Sequence, residues 1–183
     1  MTAPTAGGHP GVVTPTPESP PTMHTPRPDE AAPADENTMD RAWITHLRES
    51  VIYKLEGLSS AQLRWKPAPT ANSLGQIVVH LGYCERLWVR AVFAGEEMDM
   101  AWRTTMFTLP HGWSTDDVVA FYREETAAAD AVLDQATSMD QLSAGPLRPT
   151  TLRWVLTHLI EEIARHAGHM DITRELIDGA TGR

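Results

Sequence analysis

The chain of 183 residues has one cysteine, two lysines and no long apolar run. A single thiol, Cys84, excludes an internal disulfide framework and suits a reducing cytoplasm. No stretch is long and apolar enough to span a bilayer. The N-terminal segment also lacks the basic start and apolar run of a signal peptide or membrane anchor. A cytoplasmic protein without a membrane partner is therefore expected. Positive charge is scarce: Lys and Arg total 15 against 24 Asp and Glu, giving a net charge of −9. With a pI near 5.3, the chain offers no basic surface for phosphate, which argues against nucleic-acid binding as its main task. Sustained strand alternation is missing as well, and this points to an all-α protein.

Proline is present in quantity but is unevenly placed. Residues 1–36 hold nine of the fourteen prolines and almost no large apolar side chains. Such a segment cannot bury enough surface to offset its ordering entropy, so a disordered tail is expected over 1–36, with a folded domain over 37–183. Four helices follow. The first runs from about Asp40 to Leu58, with Trp43, Ile44, Leu47, Val51, Ile52 and Leu55 at helical spacing. The second runs from about Ser73 to Ala94 and stops at Gly95. The third starts at the cap Ser114, with Asp116 and Asp117 in its first turn, and reaches about Ala136. The fourth begins near Thr150 and ends at Gly179. The pattern is that of a four-helix bundle.

The connection between the second and third helices, about Glu96 to Trp113, is too long for a hairpin turn and carries Trp102, Met106, Phe107, His111 and Trp113. Loops of this length usually have a task. Two roles are open for its aromatics: closing over a site, or plugging the end of the core.

The chemistry-bearing stretch is His158-Leu-Ile-Glu-Glu-Ile-Ala-Arg-His-Ala-Gly-His169. At about 100° per residue, His158, Glu162, His166 and His169 fall within an arc of about 80° on one helical face. Glu162 and His166 are one turn apart and border the apolar stripe of Leu152, Val155, Leu156, Leu159, Ile163 and Met170, so both side chains can reach one ion. Glu161 and Arg165 turn away to solvent. An inward carboxylate without a cation carries a large desolvation penalty, which a metal or an imidazolium partner removes. His158 and His169 are about 16 Å apart along the axis, so they cannot share an ion. His169 is open to two roles, a ligand or a group that orients the ligands from outside, and His158, one turn before Glu162, is a pocket group or a residue behind the ligands.

A bundle metal needs ligands from a second helix. His80 lies among Ile77, Leu81, Cys84, Trp88 and Ala91 on the inward face of the second helix. Cys84, one turn further on, can approach the same site, but a lone core cysteine reads first as filling. Two imidazoles and one carboxylate with open positions form the pattern of a catalytic metal site. Zinc is the default for His80, Glu162 and His166, while nickel, iron and manganese suit the same donors.

Over about residues 38–180 the chain resembles the DinB-like (YfiT-like) four-helix-bundle family. The likeness rests on His80-Leu81-x-x-x-Glu85-x-x-Trp88 and on His158-Leu-Ile-Glu-Glu162-x-x-x-His166-x-Gly168-His169. The resemblance implies a divalent metal held by one histidine of the second helix and two ligands four apart on the last. Glu162 in place of a histidine is similar to the His–Glu–His set of mycothiol-dependent maleylpyruvate isomerase. His169 replaces a glutamine frequent in the family. The implied chemistry is a metal-dependent S-transferase or isomerase using a low-molecular-weight thiol such as mycothiol on an electrophilic small molecule. A homodimer is common among similar proteins, and the apolar first helix can serve one.

Two other functions compete on sequence grounds. In a metal-dependent hydrolase, His169 or His158 would move protons for an attacking water. In a non-enzymatic stress or binding protein, the bundle would hold a small ligand, with a structural metal or none.

Overall fold

Side-chain caps set the helix starts in this chain. Asp35 accepts from the Thr38 backbone N–H at 2.8 Å and opens α1, Glu36–Tyr53. The computed structural model describes residues 27–30 and 32–181; most of the expected disordered tail, residues 1–26, lies outside the described residues. α1 begins at Glu36 rather than near Asp40 because its first turn is polar and shows no apolar period. A reciprocal capping box between Ser59 and Gln62 opens α2, Ser60–Arg64, a short element that periodicity does not reveal. A second box, Ser73 with Gln76, opens α3, Leu74–Glu85. Ser114 and Asp117 form a third at the start of α4, Thr115–Leu133, at the expected cap. Thr151 caps α5, Leu152–Asp178, which stops at Gly179 in the left-handed conformation (φ 77°).

α3 does not end at Glu85. It runs on as a π-helical stretch, Arg86–Phe93, and closes at Gly95, where φ is 72°. Together these two pieces form the expected second helix, so among the described residues four long helices make the bundle and α2 is an added turn. α5 packs against α1 and α3, and α3 packs against α4. Being enclosed on both sides explains why Ile77, Val78, Val79 and Leu81 are all buried. A Cβ on Gly82 would lie 2.6 Å from Phe121 Cε1, so the absent side chain lets α3 and α4 approach. Among the described residues there is no strand, only an isolated bridge between Leu142 and Thr151. No helix among them is long and apolar enough to cross a membrane.

A buried ionic cluster ties three helices together. Arg48 of α1 donates to both carboxylate oxygens of Glu85 on α3, at 2.8 and 2.9 Å, and to Asp130 of α4 at 2.8 Å. The Glu85 side chain is fully buried, so burial pushes its carboxyl up while the Arg48 guanidinium pulls it down. The bidentate fork is what makes this burial tolerable.

The long connection folds back along α3 through a single 3₁₀ turn, Ala101–Thr105. Trp102 stacks on Tyr83 with ring planes 5° apart, and the Arg86 guanidinium lies over both rings. Gln76 Nε2 donates to the Phe107 carbonyl at 2.8 Å, and Leu109 is buried in the core. Of the loop's aromatics, Trp113 packs against the core and Phe107 stacks on His80, one of the residues described next.

Candidate functional site

α3 and α5 pack directly, and their facing turns bring His80 to Glu162. His80 Nε2 lies 3.0 Å from Glu162 Oε1. His166, one turn along α5, places its Nε2 3.4 Å from the same oxygen. The three residues singled out as metal ligands therefore meet at one carboxylate atom. Hydrogen bonds from His166 first, and then from His80, hold the Glu162 carboxyl well below the ordinary carboxylate range. Glu162 is thus an anion facing two imidazoles inside the bundle. Glu161 faces outward as expected, paired with Arg165 on the surface.

Cys84 is part of the same cluster, the approach open to it one turn after His80, and is more than the core filling favoured for it. Its Sγ is 3.4 Å from His80 Nε2 and 3.9 Å from Glu162 Oε1. The ligand atoms of His80, Cys84 and Glu162 all lie within 4.8 Å of one another. Burial first, and the Glu162 and Glu85 carboxylates next, push the thiol well above its ordinary range. The signal was in the sequence: Cys84 follows His80 by four residues on a helical face.

Three features surround the cluster. The Phe107 ring covers His80 face to face, with centroids 3.8 Å apart. Beside His166 runs a groove of about 350 Å³ between the α2–α3 connection and α5, with Thr70, Asn72, Ile77, His169 and Ile172 on its walls. His169 is exposed there and meets His166 edge to face at 5.6 Å. On the other side, His158 is held by two indoles, edge to face with Trp88 at 4.6 Å and stacked on Trp154 at 4.9 Å. The Arg148 guanidinium sits 4.7 Å from the Trp154 ring centroid. The two outer histidines therefore differ: His169 lines the groove, whereas His158 is wedged among tryptophans and touches Glu161 at 3.8 Å rather than Glu162.

The donors suit a divalent ion. Two imidazoles, a carboxylate and a thiol converge from two helices, and His166 Nδ1 is buried without a hydrogen-bond partner. Zinc takes this mixture of nitrogen, oxygen and sulfur readily. His80, Glu162 and His166 are the residues that would hold it, with Cys84 in reach.

A helical bundle with this α3–α5 pairing is the DinB-like fold. A DinB-like protein from Bacillus cereus ATCC 10987 superposes with a TM-score of 0.55 at 21% identity, covering 74% of this chain and 91% of that one. A conserved protein from Enterococcus faecalis superposes with a TM-score of 0.61 at 14% identity, covering 80% and 99%. The sequence match is more specific: the chain fits the mycothiol-S-transferase family over residues 40–179, and it belongs to that family. No curated protein matches the sequence significantly.

Proposed function

We propose that the protein is a divalent-metal-dependent transferase that joins a low-molecular-weight thiol, mycothiol being the one its family points to, to an electrophilic small molecule. The observation that carries this reading is the meeting of His80 and His166 on the single oxygen Oε1 of Glu162. When bound, a divalent ion supplies a Lewis acid that keeps the thiol as thiolate at neutral pH.

The remaining work falls to the protein. Glu162, ionised and half-buried, supplies the negative donor that a cation site on an otherwise apolar face requires. Phe107 excludes water from one face of His80, lowering the local dielectric. The groove beside His166 takes the electrophile, because its walls combine Ile77 and Ile172 with the polar Thr70 and Asn72. His169, at the groove wall, is placed to hand a proton to the product or take one from the thiol. His158 orients rather than reacts, since Trp88 and Trp154 enclose its ring.

Elemental analysis of the purified chain beside Glu162→Gln and His166→Ala tests the ligand set. About one equivalent of metal per chain in the wild type, lost in both variants, is expected. Mycothiol-dependent consumption of a model electrophile should fall with the metal. Metal retained at wild-type level in both variants would overturn the assignment. Metal-dependent turnover with no thiol added would redirect the chemistry to hydrolysis.

A further inference from the structure

Filling a core gap does not require a thiol to lie against two polar side chains, yet that is where Cys84 sits. The residue is 4% exposed, and its polar contacts are His80 and Glu162. Donor atoms that share a tetrahedral zinc-type ion lie roughly 3.3–3.6 Å apart, since nitrogen, oxygen and sulfur stand about 2.0–2.3 Å from the metal. The observed separations, 3.0 Å for His80–Glu162, 3.4 Å for His80–Cys84 and 3.9 Å for Cys84–Glu162, bracket that range. His166, one turn along α5, approaches the same carboxylate oxygen at 3.4 Å. Three donors of the right chemistry, His80, Cys84 and Glu162, are thus gathered within 4.8 Å of one another, and His166 joins them through the shared Glu162 oxygen.

We propose that Cys84 is a fourth ligand of this site, a thiolate that occupies the position the cosubstrate thiol takes during turnover. The inference rests on the metal-dependent reading above and deepens it. Three protein donors leave a position open, and an open position on a thiol-binding metal collects water or stray anions. A fourth donor from the protein closes the site at rest. Exchange is balanced without any oxidant or reductant: the incoming thiol loses its S–H proton as its sulfur takes the position, and Cys84 leaves carrying one proton. Charge at the site is the same before and after. The four-residue spacing on α3 makes the exchange local, because a rotation about the Cys84 Cα–Cβ bond withdraws the sulfur while His80 stays in place.

Cobalt-loaded full-length protein tests this by its absorption spectrum. The wild type without added thiol should show a near-ultraviolet sulfur-to-cobalt charge-transfer band. Cys84→Ser and Cys84→Ala should lose that band while still binding about one cobalt per chain. Adding a small thiol should restore a sulfur band in both variants. Two variants of different polarity guard against misreading a local packing defect. Cobalt bound with no sulfur band in the wild type, or a band unchanged in both variants, would overturn the role of Cys84 alone. Failure of the wild type to bind cobalt at all would overturn it together with the metal-dependent reading.

Discussion

The ring of Phe107 lies face to face on His80, with centroids 3.8 Å apart and planes inclined by 13°. The contact joins the long α3–α4 connection to a residue at the centre of the ligand cluster. Phe107 is itself 37% exposed, so the ring is a cover between His80 and solvent rather than a core residue. Phe107→Ala should therefore change stability by only about 1 kcal/mol, the scale of a single aromatic pair. Its larger effect should be on access. Metal transfer to an added chelator is expected to speed up several-fold, followed by a coloured indicator under first-order conditions. An unchanged transfer rate would show that Phe107 packs on His80 without shielding the site.

Much of this architecture is legible in the residues, and what escapes does so for physical reasons. Ser114 and Gly179 mark helix ends because capping chemistry is local, and both ends lie where the sequence puts them. His80, Glu162 and His166 are readable because two turns of amphipathic helix determine which side chains face inward. α2 has five residues, too few for a period, and only its Ser59-x-x-Gln62 box announces it. The Arg48–Glu85 pair joins residues 37 apart, and no local rule couples them. Arg48 did carry a signal, since it interrupts the apolar face between Ile44 and Val51. The place of Phe107 over His80 depends on the path of a loop, which the sequence leaves open.

Breaking the buried Arg48–Glu85 pair from one side should be costly. Arg48 is 6% and Glu85 1% exposed, so Arg48→Met leaves a carboxylate in the core with no cation. Losses of about 3–5 kcal/mol follow one-sided removal of such a pair. Arg48→Met combined with Glu85→Leu should recover most of that loss, because no buried charge is left behind. Urea unfolding of the two proteins measures both numbers. Equal stability of single and double variants would mean that Glu85 takes up a proton or is reached by solvent once Arg48 is gone.

Two glycines should respond in opposite directions to alanine. Gly95 has φ of 72°, and a Cβ there would lie 2.9 Å from the backbone of Gly145, where the α4–α5 loop crosses the end of the π-helical stretch. Gly95→Ala combines a left-handed residue, worth about 1–2 kcal/mol, with a backbone clash that cannot relax by side-chain movement. Gly168 is exposed within α5 and has no neighbour within 4 Å of a built Cβ. Gly168→Ala should stabilise by about 0.5–1 kcal/mol through helix propensity alone. Thermal unfolding distinguishes the pair, and a shift of the same sign in both would contradict this account.

His158 should make stability depend on pH in a predictable direction. Burial between Trp88 and Trp154 pushes its imidazole below the ordinary value of 6.5; the Glu162 carboxylate works against this, while Arg148 and Arg165 add to it. A base whose folded-state pKa is depressed binds its proton more readily when unfolded. Its contribution to stability is therefore present above the ordinary histidine pKa, and it is lost as pH falls through the folded-state value. His158→Phe keeps an aromatic ring against both tryptophans and removes the titration. Measured by urea unfolding of chelator-treated protein, the stability of wild type relative to His158→Phe should decline between about pH 8 and about pH 5. Profiles that run parallel across that range would show that the His158 ring stays solvated enough to titrate normally, and that the tryptophans pack beside it without desolvating it.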